Sequence, residues 1–159
     1  MKKGLYLSVL VLFLSSVGAF AQRQDIPKGM CLVGDCREGR GFIRYESGAE
    51  FDGIFVDSRR NGAGIFTTAA GDKFVGDFKD DQFHGQGLLT FANGDSYEGE
   101  FVNGVFEGEG ILIYATGTRY EGQFRDGRFE GQGILLWASG RVFEGEFVAG
   151  EPYRENSSR

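Results

Sequence analysis

Residues 97–124 read YEGEFVNGVFEGEGILIYATGTRYEGQF, and the return of its opening pattern after 23 residues decides the fold. Moving outward from Tyr97 recovers the same register on both sides. Units run Phe51–Lys73, Phe74–Ser96, Tyr97–Arg119 and Tyr120–Val142, and a truncated one starts at Phe143. Position one is Phe or Tyr. Position three is glycine (Gly53, Gly76, Gly99, Gly122, Gly145), and position five is phenylalanine (Phe55, Phe78, Phe101, Phe124, Phe147). Glycine also recurs at the twelfth, fourteenth and twenty-first positions, as Gly108, Gly110 and Gly117 in the third unit. A chain repeating at this period is one supersecondary unit copied in series, and its core forms between neighbours.

Within a unit, Tyr97 to Phe101 alternates apolar and polar with period two, the signature of a strand. Asn103-Gly104 is a hairpin turn signal, a second strand is expected over Glu109–Tyr114, and Ala115-Thr116-Gly117 turns the chain into the next unit. The expected fold is therefore all-β: a single-layer, elongated antiparallel sheet of tandem hairpins. Two strands per unit at ~4.8 Å advance the sheet about 10 Å per repeat, giving a twisted ribbon about 50 Å long. Gly99 leaves room for a ring from the neighbouring strand to lie over the backbone. Glycines at the twelfth and twenty-first positions supply the positive φ of turns.

The repeat resembles the MORN repeat, and the resemblance covers about residues 28–150. Two positions depart from that family's pattern. The eleventh, often His or Asn there, is Asn61, His84, Glu107 and Glu130. The eighth is Ser58 and Asp81 before it becomes Gly104, Gly127 and Gly150. The resemblance implies a non-catalytic scaffold, and the family's name and some of its members imply lipid contact.

The first 21 residues have the form of a secretory signal: Lys2-Lys3, an apolar Leu5–Leu14, and Ala19-Phe20-Ala21 before Gln22. Cleavage after Ala21 would leave an exported chain, periplasmic or secreted, because the apolar run is well short of the roughly 20 residues of a membrane span. A short segment at 22–27 would precede the sheet, and a polar tail at 151–159 would follow it. Without Lys2 and Lys3, fifteen basic residues face twenty-three acidic ones, a net charge near −8. That disfavours nucleic acid and anionic membrane surfaces.

Carried backwards, the register makes 28–50 a degenerate unit, with Gly39, Gly41 and Gly48 in place and Cys31 and Cys36 flanking a turn at Leu32–Asp35. In an exported chain two cysteines five apart favour a disulfide over free thiols. Closing so small a loop contributes about 2 kcal/mol on the chain-entropy model. Metal binding needs about four ligands, which C-x4-C and one distant His84 do not supply. His84 is read as a turn hydrogen-bonding residue.

The apolar face takes positions one and five, with Leu89/Phe91, Leu112/Tyr114 and Leu135/Trp137 from the second strands. The opposite face is acidic, with Asp52, Asp77, Glu98, Glu100, Glu121, Glu144 and Glu146, partly offset by Lys73 and Arg119. Equivalent carboxylates in adjacent units stand about 10 Å apart, too far to share a calcium ion. Phe83, Phe106 and Phe129, at position ten, are expected in loops along one edge, either packed onto the adjacent hairpin or exposed as a partner-binding stripe. No Gly-x-Gly pair opens a helix, so none is a phosphate loop. A series of near-identical units also shows no pair of differently tuned acids for hydrolysis. The reading is a cofactor-free scaffold for a protein partner of unknown identity, with membrane association and glycan binding as alternatives.

Overall fold

The computed structural model describes residues 29–153, and every strand in it is hydrogen-bonded only to its neighbours in sequence. The signal segment, residues 22–27 and most of the polar tail fall outside the described residues. The strands are β1 (Gly29–Gly34), β2 (Gly39–Tyr45), β3 (Glu50–Val56), β4 (Arg59–Thr67), β5 (Lys73–Lys79), β6 (Gln82–Thr90), β7 (Ser96–Val102), β8 (Val105–Ile113), β9 (Arg119–Arg125), β10 (Arg128–Leu136), β11 (Val142–Val148) and β12 (Glu151–Pro152). They form one open, twelve-stranded antiparallel sheet of serial hairpins, with no helix among the described residues.

Each repeat's hairpin closes through two residues at positive φ: Asn103 (51°) and Gly104 (82°) between β7 and β8, Asp126 (50°) and Gly127 (75°) between β9 and β10. Both central residues left-handed is the I′ geometry, whose twist matches that of the flanking strands. Adjacent units are then tied along both edges. The Gly127 N–H donates to the Phe106 carbonyl at 3.0 Å, and the Asp126 N–H to Glu107 Oε2 at 3.0 Å. On the other edge, the Ala115 N–H donates to the buried Asp95 carboxylate at 2.7 Å, and the Ala92 N–H to Asp72 Oδ1 at 2.9 Å.

The second strand of each repeat is longer than the sequence suggested. β8 starts at Val105 because a bulge lets the ladder continue through the Gly-x-Gly. Glu100 pairs with Glu107 and Gly99 with Gly110, so Gly108 and Glu109 have no partner on β7. The same two residues pair regularly with Phe124 and Gln123 on β9. Gly108, at φ +64°, is the left-handed residue this bulge needs. Repeating the bulge in every unit bends each hairpin the same way and curls the sheet around its aromatic face.

That curl makes the core. The Tyr97 ring lies across two glycines, Gly99 on its own strand and Gly110 on the next. A Cβ at Gly110 would stand 2.6 Å from the Tyr97 hydroxyl, and one at Gly99 would meet the same oxygen at 2.6 Å. The ring over Gly99 thus comes from two residues earlier on the same strand, not from a neighbouring strand. Side chains two apart share a face, and glycine between the strands lets the ring fold flat. Phe106 stacks on the outer side of Tyr97 at 3.7 Å and 8°, while Phe101 and Phe124 meet it edge-on at 5.1 and 5.0 Å. Unit 120–142 repeats the arrangement with Tyr120, Phe129, Phe124 and Phe147. Such contacts add about 0.5–1.5 kcal/mol per pair beyond burial, and they run without interruption from one unit to the next.

Candidate interaction surface

Phe83, Phe106 and Phe129 do not form a stripe in edge loops. They sit in β6, β8 and β10, are 5%, 2% and 4% exposed, and stack on Phe74, Tyr97 and Tyr120. The ladder runs on past the glycines to the hairpin, so Phe106 pairs with Phe101, Phe83 with Phe78 and Phe129 with Phe124, and the tenth position shares the aromatic face with the fifth. These rings are core, and the exposed-stripe reading is overturned. The tenth position of the first full unit is Arg60, and its guanidinium replaces the missing ring. It lies 4.8 Å from the Phe66 ring centroid and 5.3 Å from that of Phe78. It is paired with Asp81 at 3.2 Å and donates to the Asp81 carbonyl at 2.6 Å.

Cys31 and Cys36 form a disulfide with Cα atoms 5.9 Å apart. β1 extends to Gly34, so the turn they secure lies beyond it, at 35–38, rather than at Leu32–Asp35. The Asp35 carboxylate accepts the Arg37 and Glu38 N–H groups in that turn. Those backbone bonds, Glu38's first, hold its carboxyl below the usual range. His84 departs from its expected role. Its Nδ1 is buried with no hydrogen-bond partner among the described residues, whereas the longer Glu107 and Glu130, at the same repeat position, reach the N–H groups of Asp126 and Ala149.

Burial raises the tyrosine hydroxyls on the aromatic face. Tyr114 is pushed up to about 12 by desolvation and the nearby Asp95. Tyr97 and Tyr120 are raised further, by desolvation first and then by Glu100 and Glu109 respectively. These two hydroxyls donate to the Glu100 and Gln123 carbonyls at 3.0 and 2.9 Å. They act as structural donors, each closing the loop between positions one and four.

With the aromatic face closed on itself, the outer face is the broad surface left. Its carboxylates, including Glu98, Glu121 and Glu144, are exposed. The face is not simply acidic, however. Following cross-strand partners, Asp52 stands against Ile65, Ile65 against Val75, and Val75 against Leu88. The row continues through Glu98, Ile111, Glu121, Ile134 and Glu144. Ile65, Val75 and Leu88 are 39–41% exposed and contiguous, so the row is aliphatic in its first half and alternates Ile with Glu in its second. A shallow depression lies at the aliphatic end, lined by Arg40, Asp52, Ile54, Ile65, Val75 and Asp77. The signal was present in the sequence: position fifteen is Ile65, Leu88, Ile111 and Ile134, aliphatic in every unit. Among the described residues no group of three or more His, Cys, Asp or Glu side chains is placed to hold a metal ion. No helix among them is long and apolar enough to cross a membrane.

An open sheet of serial hairpins, with an aromatic face filled by its own rings and an exposed mixed one, defines a repeat protein of one continuous sheet. The MORN repeat pattern matches residues 51–73, 74–96, 97–119 and 120–140, more than half of the chain, and the protein belongs to the MORN-repeat family. Its repeats are of a kind that serves generally in protein or membrane interaction. No curated protein matches it. Among solved structures, it is similar to the TCP domain of SAS-4 (dCPAP) from Drosophila melanogaster, solved in complex with a proline-rich motif of Ana2 (dSTIL). The identity is 17% and the TM-score 0.42, and the match covers 69% of this chain and 61% of that one.

Proposed function

We propose that this protein is a non-catalytic, exported scaffold whose outer sheet face binds another protein. The observation that carries this reading is the contiguous row Ile65, Val75 and Leu88, which lies half-open beside Asp52 and Asp77 on a sheet whose other face is filled by its own rings. Apolar side chains rimmed by charge are the usual composition of a protein-binding patch. Membrane binding is the weaker alternative, because the same face is lined with carboxylates that anionic headgroups repel. The Cys31–Cys36 disulfide supports an oxidising compartment, and the signal-like first 21 residues support export into one.

A photoreactive residue at position 75 tests the face. In the native compartment it should give discrete protein adducts, and these should vanish when Ile65 and Leu88 are both changed to Glu. Adducts indifferent to that change, or label transferred to lipid instead of protein, would overturn the reading. The export proposal stands apart from this. The purified chain should begin at Gln22, and retention of residues 1–21 would refute it.

A further inference from the structure

We propose that β1 is a self-pairing edge, through which two copies of this chain join into one continuous sheet around a twofold axis. The two edges of the sheet differ sharply. β12 has two residues, one of them Pro152, which has no N–H to offer a new strand. β1 has six residues, no proline and no charge, and the whole strand is exposed, with Met30 at 68%, Leu32 at 42% and Val33 at 67%. Among the described residues it pairs on one side only, with β2. A long, uncharged, apolar edge is what natural sheets avoid unless another strand covers it.

The occupant follows from the sequence of the edge. Residues 28–35 read KGMCLVGD, which is self-complementary about the Cys31–Leu32 bond. An antiparallel copy sets Gly29 against Gly34, Met30 against Val33 and Cys31 against Leu32. The strand's irregularity makes the faces agree. Met30 pairs with Arg44 and Val33 with Phe42, two residues apart on β2 and therefore on one face, although Met30 and Val33 are three apart. The shift at Leu32 thus places Met30 and Val33 on the same side of the sheet, as directly opposed residues must be. The disulfide, which spans from Cys31 in the middle of the strand to Cys36 beyond it, holds the edge to the sheet behind. Because the far edge is blunted, pairing through β1 closes as a dimer instead of propagating as a filament.

Sedimentation of the purified, oxidised chain over a range of concentrations should show a reversible monomer–dimer equilibrium. Protection of the β1 amides against hydrogen exchange should rise with concentration in step. Met30→Lys with Val33→Lys places like charges opposite each other twice and should raise the dimer dissociation constant at least about tenfold. Met30→Lys with Val33→Glu places opposite charges across the same axis and should recover dimerisation. Both sites are two-thirds exposed, so at concentrations too low for dimerisation the variants should melt as the wild-type chain does. A chain that stays monomeric with unprotected β1 amides overturns the proposal. So does open-ended polymer, a Lys/Lys variant that still dimerises normally, or a Lys/Glu variant that does not.

Discussion

Units 51–96 and 97–142 share one backbone plan but are held by different chemistry. In the later pair, Tyr97 and Tyr120 sit over the glycines and donate to backbone carbonyls, and a phenylalanine stacks on each. The earlier pair has Phe51 and Phe74 there, with no hydroxyl, and Arg60 stands where the first stacking ring should be. The turns differ too: Asp57-Ser58 and Asp80-Asp81 hold left-handed φ without a glycine, while Asn103-Gly104 and Asp126-Gly127 have one. What the fold requires is a flat group over the glycine pair and a cover on that group. The identity of each is open, provided its polar atoms are satisfied.

The largest effects should come from moving one solution into the other's place. Phe106→Arg puts a guanidinium where the next unit offers Gly127 instead of Asp81's carboxylate. An unpaired, largely buried charge should cost at least about 3 kcal/mol in chemical denaturation. Arg60→Phe with Asp81→Gly makes the reverse exchange and should be neutral or stabilising by up to about 4 kcal/mol. If both exchanges cost the same, the two halves are not versions of one arrangement. Phe101→Ala, which empties a site shared by both plans, should cost about 3–5 kcal/mol, and Phe78→Ala should match it.

Alkali should separate the halves next. In the folded chain Tyr97 and Tyr120 hold their protons above the ordinary pKa of about 10, so the unfolded chain loses its protons first. Above about pH 10 the unfolded state therefore binds fewer protons than the folded one, and stability falls as pH rises. The contribution is complete below that pH. Hydrogen exchange should show units 97–142 opening before units 51–96 as pH passes 10, and Tyr97→Phe with Tyr120→Phe should remove most of the difference, leaving the share of Tyr114. At neutral pH each substitution should cost only about 1 kcal/mol, for one hydrogen bond. Simultaneous opening of both halves would count against the tyrosine assignment.

The smallest effects belong to the turns. Ser58→Gly relieves a left-handed serine and should stabilise by up to about 1 kcal/mol, while Gly104→Ala should destabilise by a similar amount. On the outer face, Glu100→Ala should stay within about 0.5 kcal/mol.

The repeat register made the fold legible, because period two within a unit and period 23 between units leave a serial hairpin sheet as the natural solution. The bulge was harder to see. Gly108-Glu109-Gly110 breaks the alternation, so the second strand read as starting at Glu109 and Phe106 read as a loop residue. Only cross-strand pairing shows the ladder running on through it. The outer face was half legible. Acids at positions two and four were plain, but Ile65, Leu88, Ile111 and Ile134 each fall beside a core residue in sequence, and so were not set against the acids they stand beside. The match of Cys31 to Cys36 followed from their spacing across a turn together with the expected export of the chain into an oxidising compartment.

Arg60 also bears on how the chain finds its own alignment. Because the units are so alike, a hairpin could settle against the wrong neighbour, one whole repeat out of place, and lose few of its ring contacts. The first unit cannot do so quietly. Displaced by 23 residues, Arg60 would face Gly104 instead of Asp81, leaving its charge wedged among aromatic rings without a carboxylate. One unmatched residue in a series of copies thus serves as an address label: it penalises mis-threading at a seam where rings alone would accept any copy.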